Sequence, residues 1–314
     1  MLHSALYLMY FVYKMTIAYD GTGYGGWQSQ NNAPSIQTLV QDALSILLRM
    51  RTTLQASGRT DAGVHALGQV AHFKHPAILY PSKILYSLNA LLPLDIRILA
   101  LELAPAHFQA RFSALSKIYH YYLYLGSARD PFQRLYTYRP PYPIDRDLLA
   151  QAAAHFVGTR DFTSFANSKK TNKAKGLLSL RAPSEIAIQK RSSIRTIYNL
   201  SLLEKQPFGQ GNKDILCLSF EGNGFLYKMV RNIAGAMLRV ASGKMALEEI
   251  PRIFAARDRR EAPAAAPPYA LFLSCVNYPN SASGSEREER SFGEAEAEDL
   301  EREEQKIHGL AAVE

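Results

Sequence analysis

The stretch SGRTDAGVHALGQVAHF, from Ser57 to Phe73, sets a charged turn directly before a strand. Gln69 to Phe73 has the composition of a β-strand, and Asp61 lies upstream of it, two residues after an arginine and two before a glycine. Residues i and i+2 of an extended chain point to the same side, so the pattern predicts that Arg59 and Asp61 share one face. Because an ordinary turn needs no arginine, the stretch indicates a charged pair presented to a ligand.

Patterns on both sides of this stretch predict a mixed α/β chain. Strands are predicted at residues 12–19, 69–73, 118–125, 185–189, 195–204 and 215–221. Helices are predicted at residues 35–50, 145–156, 225–241 and 246–256. Ser35 is the expected N-cap of the first helix, and Gly243 is expected just past the end of the third. The spacing of the last three strands suits an antiparallel meander.

Length and composition exclude several classes of protein. The 314 residues, 47% hydrophobic and 20% charged, suffice for one large core or two ordinary ones. The longest apolar run near the start, Leu6 to Tyr13, is too short to span a bilayer and follows no basic region. We therefore expect no membrane span, no signal peptide and a cytoplasmic location. Cys217 and Cys275 form no CxxC pair, so we expect core residues in a reducing compartment.

Charge is unevenly distributed along the chain. Residues 281–314 contain eleven acidic and four basic side chains, which leaves 32 basic and 17 acidic side chains in residues 1–280. The body therefore carries a net charge of about +15, which predicts a polyanionic partner. Residues 280–314 contain few large apolar side chains, so we expect a flexible, solvated acidic tail.

A glycine pattern near the start resembles a nucleotide-binding turn. Gly21, Gly23 and Gly26 fit GxGxxG after a strand. The polar run WQSQNNAP separates them from the next helix, and the acid expected at the end of a second strand is missing, since Asp42 lies inside that helix. We therefore expect a tight turn with Trp27 packed beneath it.

Three histidines follow Asp61 closely, which raises the question of a metal site. His65, His72 and His75 fit no HExxH-type spacing, and in a strand His72 and His75 point to opposite faces. We expect no metal. His72 is predicted to be a core or edge residue, and His65 a loop residue that supports the Asp61 turn.

The run GRTDAGVHALGQVAHF closely resembles the active-site motif of the tRNA pseudouridine synthase A family. Further matches follow in that family's order: YDGTGYGGWQSQ from Tyr19, ARFSALSKIYHYYLY from Ala110, DFTSFAN from Asp161, RTI from Arg195, FLYKMVRNIAG from Phe225 and ALFLSCVNYP ending at Pro279. The resemblance covers about residues 12–279, and the occurrence of both GRTDAGVH and MVRN makes it specific.

This resemblance implies a fold, an activity and partners. The implied fold has a central, mainly antiparallel sheet flanked by helices, with two ferredoxin-like halves around a basic cleft. Its expected divisions are residues 1–112, which carry the Asp61 loop, residues 113–279, and the acidic tail at 280–314. The implied reaction converts uridine to pseudouridine at positions 38, 39 and 40 of the tRNA anticodon arm, without cofactor or metal. The implied partners are tRNA and a second copy in a homodimer.

The resemblance also assigns roles to four residues. Asp61 is the catalytic carboxylate, which attacks either the ribose C1′ or the uracil C6. Arg231 pairs with Asp61 and keeps it charged, because burial otherwise raises the pKa of a carboxyl group. Tyr119 stacks on the target base and assists proton transfer at C5, and Arg59 enters the space vacated by the flipped nucleotide. Buried strand positions are expected for Tyr121, Tyr122 and Tyr124.

The basic segment NSKKTNKAKG permits two interpretations. Lys169, Lys170, Lys173 and Lys175 are candidates for contacts to RNA phosphates, since the body as a whole is basic. A charge run is equally typical of a solvated loop.

An alternative function is a basic RNA-binding or tRNA-chaperoning protein on the same scaffold that lacks catalysis. Asp61, Arg59, Tyr119 and Arg231 favour an enzyme, because a pure binding module has no need of a carboxylate facing a polyanion.

Removal of the residues after Asn280 tests whether the acidic tail screens the basic body. Catalysis is expected to stay intact, and tRNA binding is expected to tighten at low salt if the tail competes with RNA. Titrations of the full-length and shortened chains at several salt concentrations measure this effect. Equal affinities at every salt concentration would reject screening.

Overall fold

Nine strands of the described residues form one sheet. The computed structural model describes residues 10–128, 130–167, 192–208 and 213–279. In chain order the strands are β1 Phe11–Tyr19, β2 Gln55–Ala56, β3 His65–His75, β4 Ile96–Ala104, β5 Ser116–Tyr124, β6 Gly158–Asp161, β7 Ile194–Leu203, β8 Ile215–Gly222 and β9 Leu271–Asn277. Their order across the sheet is β4-β1-β3-β9-β5-β8-β7-β6, and β2 pairs separately with β3. All pairings are antiparallel except that of β3 with β9, which confirms the predicted fold class.

The parallel pair β3–β9 lies at the centre of the sheet. It joins the strands β4-β1-β3, formed by residues up to 104, to strands from the rest of the chain. His65 pairs with Phe272 and Ala66 with Leu273. The backbones approach closely at Gly68, where an added Cβ would lie 2.8 Å from the Ser274 carbonyl oxygen. Both main groups of strands therefore belong to one continuous sheet.

The chain divides into the units Met1–Asn277 and Tyr278–Glu314, and every strand and helix named here belongs to the first. The predicted boundary between residues 112 and 113 and the predicted tail at 280–314 stay predictions. The predicted strand at residues 185–189 lies outside the described residues.

Five helices accompany the sheet in the described residues: α1 Ile36–Leu48, α2 Pro81–Leu91, α3 Arg146–Ala154, α4 Met229–Ala241 and α5 Glu249–Ala256. The Ser35 hydroxyl accepts a hydrogen bond from the Thr38 N–H, which confirms the predicted N-cap. Gly243 has a φ of +67°, the left-handed conformation expected just past a helix end. Most of α4 is buried, so this helix is a central part of the core.

Helix α4 begins four residues later than the sequence predicts. Lys228 has a φ of 60°, and the Met229 N–H donates to the Leu226 carbonyl, so residues 226–229 form a turn. A left-handed residue interrupts the helical hydrogen-bond pattern, and the helix therefore starts at Met229. The apolar spacing continues through this turn, which is why the pattern placed the start too early.

The glycine-rich loop at residues 20–27 packs against the loop that contains Asp61. An added Cβ at Gly21 would lie 2.1 Å from the Val64 carbonyl oxygen, and one at Gly26 would lie 2.6 Å from the Thr60 carbonyl oxygen. Trp27 is buried, and its backbone N–H donates to the Thr60 carbonyl. The glycines thus permit close contact between two backbones, and the predicted turn with Trp27 beneath it is confirmed.

Gly21→Ala is expected to lower the free energy of unfolding by about 1–3 kcal/mol, because the added methyl group overlaps the Val64 carbonyl and displaces the Asp61 loop. Gly23→Ala is the matched control, since an added Cβ there meets no atom within 4 Å. Urea unfolding of both variants measures the difference. Equal losses of stability would contradict the proposed role of close backbone contact.

Candidate active site

The Asp61 carboxylate and the Arg231 guanidinium form an ion pair. Arg231 Nη1 donates to Asp61 Oδ2 at 2.9 Å. The side chain of Asp61 is 16% exposed and that of Arg231 is 11% exposed. Poor access to water strengthens the attraction between these charges relative to a surface pair. The sequence-based pairing of Asp61 with Arg231 matches this contact.

Backbone contacts on both sides hold Arg231 in place. Arg231 is the third residue of α4, and its Nε donates to the Ala266 carbonyl at 2.8 Å. The Ala266 N–H in turn donates to the Arg231 carbonyl at 2.9 Å. The next residue, Asn232, is buried and donates to the Phe165 carbonyl, and Arg259 donates to the Asn232 side-chain oxygen. The guanidinium is thus directed at Asp61 by a rigid helix start.

The Asp61 loop is held by its neighbours in sequence. Thr60 is buried, and its hydroxyl shares a 2.8 Å hydrogen bond with the Tyr19 hydroxyl. Arg59 is exposed and Asp61 is partly exposed. Thr60 therefore points into the core, whereas Arg59 is exposed and Asp61 is directed at Arg231.

A second set of contacts fixes the start of the same loop. The Ser57 hydroxyl donates to Gln69 Oε1 at 2.8 Å, and Gln69 Nε2 donates to the Gly58 carbonyl at 3.0 Å. Lys117 Nζ donates to the Ser57 carbonyl at 2.6 Å. Strands β3 and β5 thus both position the loop that carries Arg59 and Asp61.

Tyr119 lies on β5 and is buried beside Phe225, with ring centroids 5.2 Å apart in an edge-to-face arrangement. Burial raises the pKa of Tyr119 well above its usual value, with smaller contributions from Tyr19 and Asp61. Its side chain is therefore a neutral phenol at neutral pH. Tyr119 pairs with Leu273 of β9, which also pairs with Ala66 of β3, so Tyr119 lies across β9 from the end of the Asp61 loop.

The other tyrosines of β5 occupy the core, as predicted. Tyr121 and Tyr122 are fully buried and Tyr124 is nearly so. His120, between Tyr119 and Tyr121, is also buried, and burial lowers its pKa to about 4. It is therefore neutral at physiological pH and supplies no positive charge.

Arg59 is not part of the Asp61–Arg231 pair. Its side chain is exposed, and it makes none of the ion pairs found among the described residues. The predicted basic residues Lys169, Lys170, Lys173 and Lys175 lie outside the described residues.

The prediction that His65 is a loop residue is wrong. His65 is the first residue of β3, because its pairing with Phe272 of β9 extends the strand toward Asp61. Its side chain is buried. Its Nδ1 accepts from the Gly21 N–H and lies 3.0 Å from Asp20, while its Nε2 contacts the Tyr269 carbonyl at 3.0 Å. Burial lowers the pKa of His65. His65 therefore joins the glycine-rich loop to the segment before β9.

Both nearby histidines use ring nitrogens in contacts with the backbone. His72 is buried, as predicted, and its Nδ1 lies 3.2 Å from the Ala110 N–H nitrogen. His75 Nδ1 lies 3.2 Å from the Ala77 N–H nitrogen. In the part of the chain that the structure describes, no three His, Cys, Asp or Glu residues are grouped as metal ligands.

Sequence reasoning missed Lys117. This residue is partly buried, and burial lowers its pKa to about 8, with smaller contributions from Arg111 and Arg195. A signal was present, because Lys117 precedes Tyr119 by two residues on the same strand and must point to the same face. The aromatic residues are the most distinctive feature of the motif KIYHYY, and the prediction rested on them alone.

A central sheet that holds an aspartate–arginine pair beside a buried tyrosine is compatible with the class of enzyme that the motifs suggest. The family described as tRNA pseudouridine synthase matches residues 15–113 and 152–279. The chain therefore belongs to the tRNA pseudouridine synthase family.

Individual relatives extend this similarity over most of the chain. A protein named tRNA pseudouridine synthase A 1 from Protochlamydia amoebophila is 50% identical over 269 residues, which cover 85% of this chain and 96% of that protein. Proteins named tRNA pseudouridine synthase A from Chlamydia muridarum and Latilactobacillus sakei are 42% and 36% identical. These matches cover 85% of this chain in both cases, and 91% and 98% of the two relatives.

A search of the described residues for membrane-spanning helices found none of sufficient length and apolar character.

Arg231→Met is expected to lower the free energy of unfolding by about 1–3 kcal/mol, because it leaves the Asp61 carboxylate without its donor in a poorly solvated position. Arg146→Met is the control, since its pair with Glu204 is largely exposed and is expected to change stability by less than about 1 kcal/mol. Urea unfolding measures both changes.

A double-mutant cycle tests whether the effect of Arg231→Met passes through Asp61. We expect Asp61→Asn to cost less in the Arg231→Met background than in the wild type. Strictly additive losses would show that the two side chains are not energetically coupled.

Proposed function

We propose that this protein isomerises uridine to pseudouridine in tRNA, at positions 38, 39 and 40 of the anticodon arm. The observation that carries the proposal is the ion pair between Asp61 and Arg231, 2.9 Å long and formed beside Tyr119. Family membership and the names of the relatives support the reaction class. The choice of positions rests on the resemblance of the sequence motifs.

The chemistry explains why an ionised carboxylate is needed. Uracil must detach from ribose at N1, rotate and reattach through C5. The hydrogen on C5 leaves as a proton, and N1 takes up a proton. Asp61 acts as the nucleophile in this proposal, at either the ribose C1′ or the uracil C6. Arg231 donates a hydrogen bond to the Asp61 carboxylate and fixes its direction. The net reaction transfers no electrons and no group to another molecule, so the proposal includes no cofactor.

Access to N1 and C5 requires the target base to leave the helical stack. We propose that Tyr119 stacks on the flipped base and that Arg59 fills the space the base leaves. The neutral phenol of Tyr119 suits stacking and hydrogen-bond donation rather than removal of the C5 proton. Arg59 is exposed, so it is accessible to an entering nucleic acid.

The proposed partner is tRNA, bound by the basic body of the chain. The net charge of about +15 on residues 1–280 favours a polyanion. Lys169, Lys170 and Lys173 are proposed as further phosphate contacts. A homodimer and a cytoplasmic location complete the proposal, and both rest on the sequence rather than on a structural contact.

Release of tritium from tRNA labelled at C5 of uridine tests the reaction, because formation of the new bond expels that hydrogen. Asp61→Asn is expected to lower turnover by at least about a thousandfold while tRNA binding is largely retained. Asp42→Asn is the matched control, since Asp42 is an exposed aspartate on α1. Substrates with a single uridine at position 38, 39 or 40 test the proposed positions.

Substantial turnover by Asp61→Asn would reject Asp61 as the nucleophile. Absence of tritium release by the wild type from every tRNA, despite tight binding, would favour the alternative of a non-catalytic tRNA-binding protein.

A further inference from the structure

Three cationic side chains lie together beside the Asp61 loop. Lys117 is on β5, Arg111 precedes that strand, and Arg195 is on β7. Arg111 and Arg195 both lower the pKa of Lys117, and Arg111 lowers that of Arg195, although burial is the larger cause in both cases. The strand register agrees with this, because Lys117 pairs with Gly222, Gly222 pairs with Ile197, and Arg195 lies two residues before Ile197 on the same face of the sheet. We call these three residues the basic cluster.

The basic cluster adjoins the loop that carries Arg59 and Asp61. Lys117 Nζ contacts the Ser57 carbonyl at 2.6 Å, and a Cβ added at Gly58 would lie 3.2 Å from the same nitrogen. Lys117 and Tyr119 face the same side of β5, about 7 Å apart along the strand. This spacing is comparable to the distance from a base to the phosphates of its own nucleotide.

No carboxylate neutralises the basic cluster among the ion pairs of the described residues. Glu221 is near in the sheet but pairs with Ile118, so it lies on the face opposite Lys117, where it accepts from Ser116. The described hydrogen bond of Lys117 uses one of its three donors.

Like charges brought together at partly buried positions oppose folding unless an anion joins them. Arg111 is exposed, and Lys117 and Arg195 are partly exposed, so each of them is accessible to an anion from solution. The described side-chain hydrogen bonds of Arg195 use only Nη1, to the Ser192 and Ile194 carbonyls. The cluster therefore has both the charge and the remaining donors for a phosphate.

We propose that Arg111, Lys117 and Arg195 bind one backbone phosphate of the RNA substrate, adjacent to the nucleotide held by Tyr119 and Asp61. This inference rests on the proposed function and specifies how its substrate is positioned. Through the contact between Lys117 and Ser57, the bound phosphate is linked to the loop that carries Asp61. The phosphate thereby sets the register of the RNA backbone relative to the carboxylate.

The salt dependence of tRNA binding tests this site. Arg111→Gln and Arg195→Gln are each expected to weaken binding at low salt and to reduce the slope of log Kd against log salt by about one. Lys117→Met is expected to do the same, although it also removes the support of Ser57. Lys83→Met is the matched control, because it lies on α2, which packs on the edge strand β4 away from β5.

Unchanged slopes for Arg111→Gln and Arg195→Gln, in variants at least as stable to urea as the wild type, would overturn the phosphate site. A slope reduced equally by Lys83→Met would also overturn it, because the loss would then reflect net charge alone. Tritium release by the wild type separates the two proposals. Release with unchanged slopes rejects only the phosphate site, whereas reduced slopes without release reject only the catalytic function.

A second experiment identifies the phosphate. Anticodon stem-loop RNAs carry one uncharged methylphosphonate linkage, either 5′ or 3′ to the target uridine. The wild type is expected to lose affinity for one of these RNAs, and the Arg111→Gln/Arg195→Gln double variant is expected to show little further loss with it. Independent, additive losses for both linkages would contradict a contact between the basic cluster and an adjacent phosphate.

Discussion

The ion pair between Asp61 and Arg231 is the constraint on which the arrangement of the site depends. It joins residues 170 positions apart in the chain, and both side chains have little access to water. A partly buried charge is costly without its partner, so the loop and the helix must meet in a narrow range of positions. The glycine-rich loop supports Asp61 from one side, and the Ala266 backbone supports Arg231 from the other.

Local sequence patterns predicted much of the fold. Ser35 and Gly243 mark helix ends through their own chemistry, and both were confirmed. Helix α2 was missed because its N-cap residue, Tyr80, makes no side-chain capping bond and because only Leu88 of the helix is fully buried. Strand β4 was missed because exposed leucines, Leu99 and Leu103, obscure its alternation. The parallel pairing of β3 with β9 involves distant segments, and no local pattern contains that information.

Some residues of the candidate site were likewise predicted from the sequence, and others were not. Asp61, Tyr119 and Arg231 were predicted because their motifs resemble those of a known family, and the structure brings the three together. Lys117 and His65 were missed or misplaced because their environments come from tertiary contacts. Lys117 is held by its hydrogen bond to the Ser57 carbonyl. His65 is part of β3 because it pairs with Phe272 of β9. Spacing places Lys117 on the same face as Tyr119, but residue type and spacing do not encode these tertiary partners.

The central position of β9 has a consequence for the order of events during protein synthesis. Ala66 of β3 pairs with Leu273 of β9, about 200 residues later in the chain. At roughly 5–20 residues per second, a ribosome takes on the order of ten to forty seconds to cover that distance. Throughout this interval β3 has been synthesised, but its partner strand β9 has not. The unpaired strand edge is a site for misassembly, and it immediately follows the Asp61 loop in the chain. Strand β9 therefore both completes the sheet and covers the exposed edge of β3.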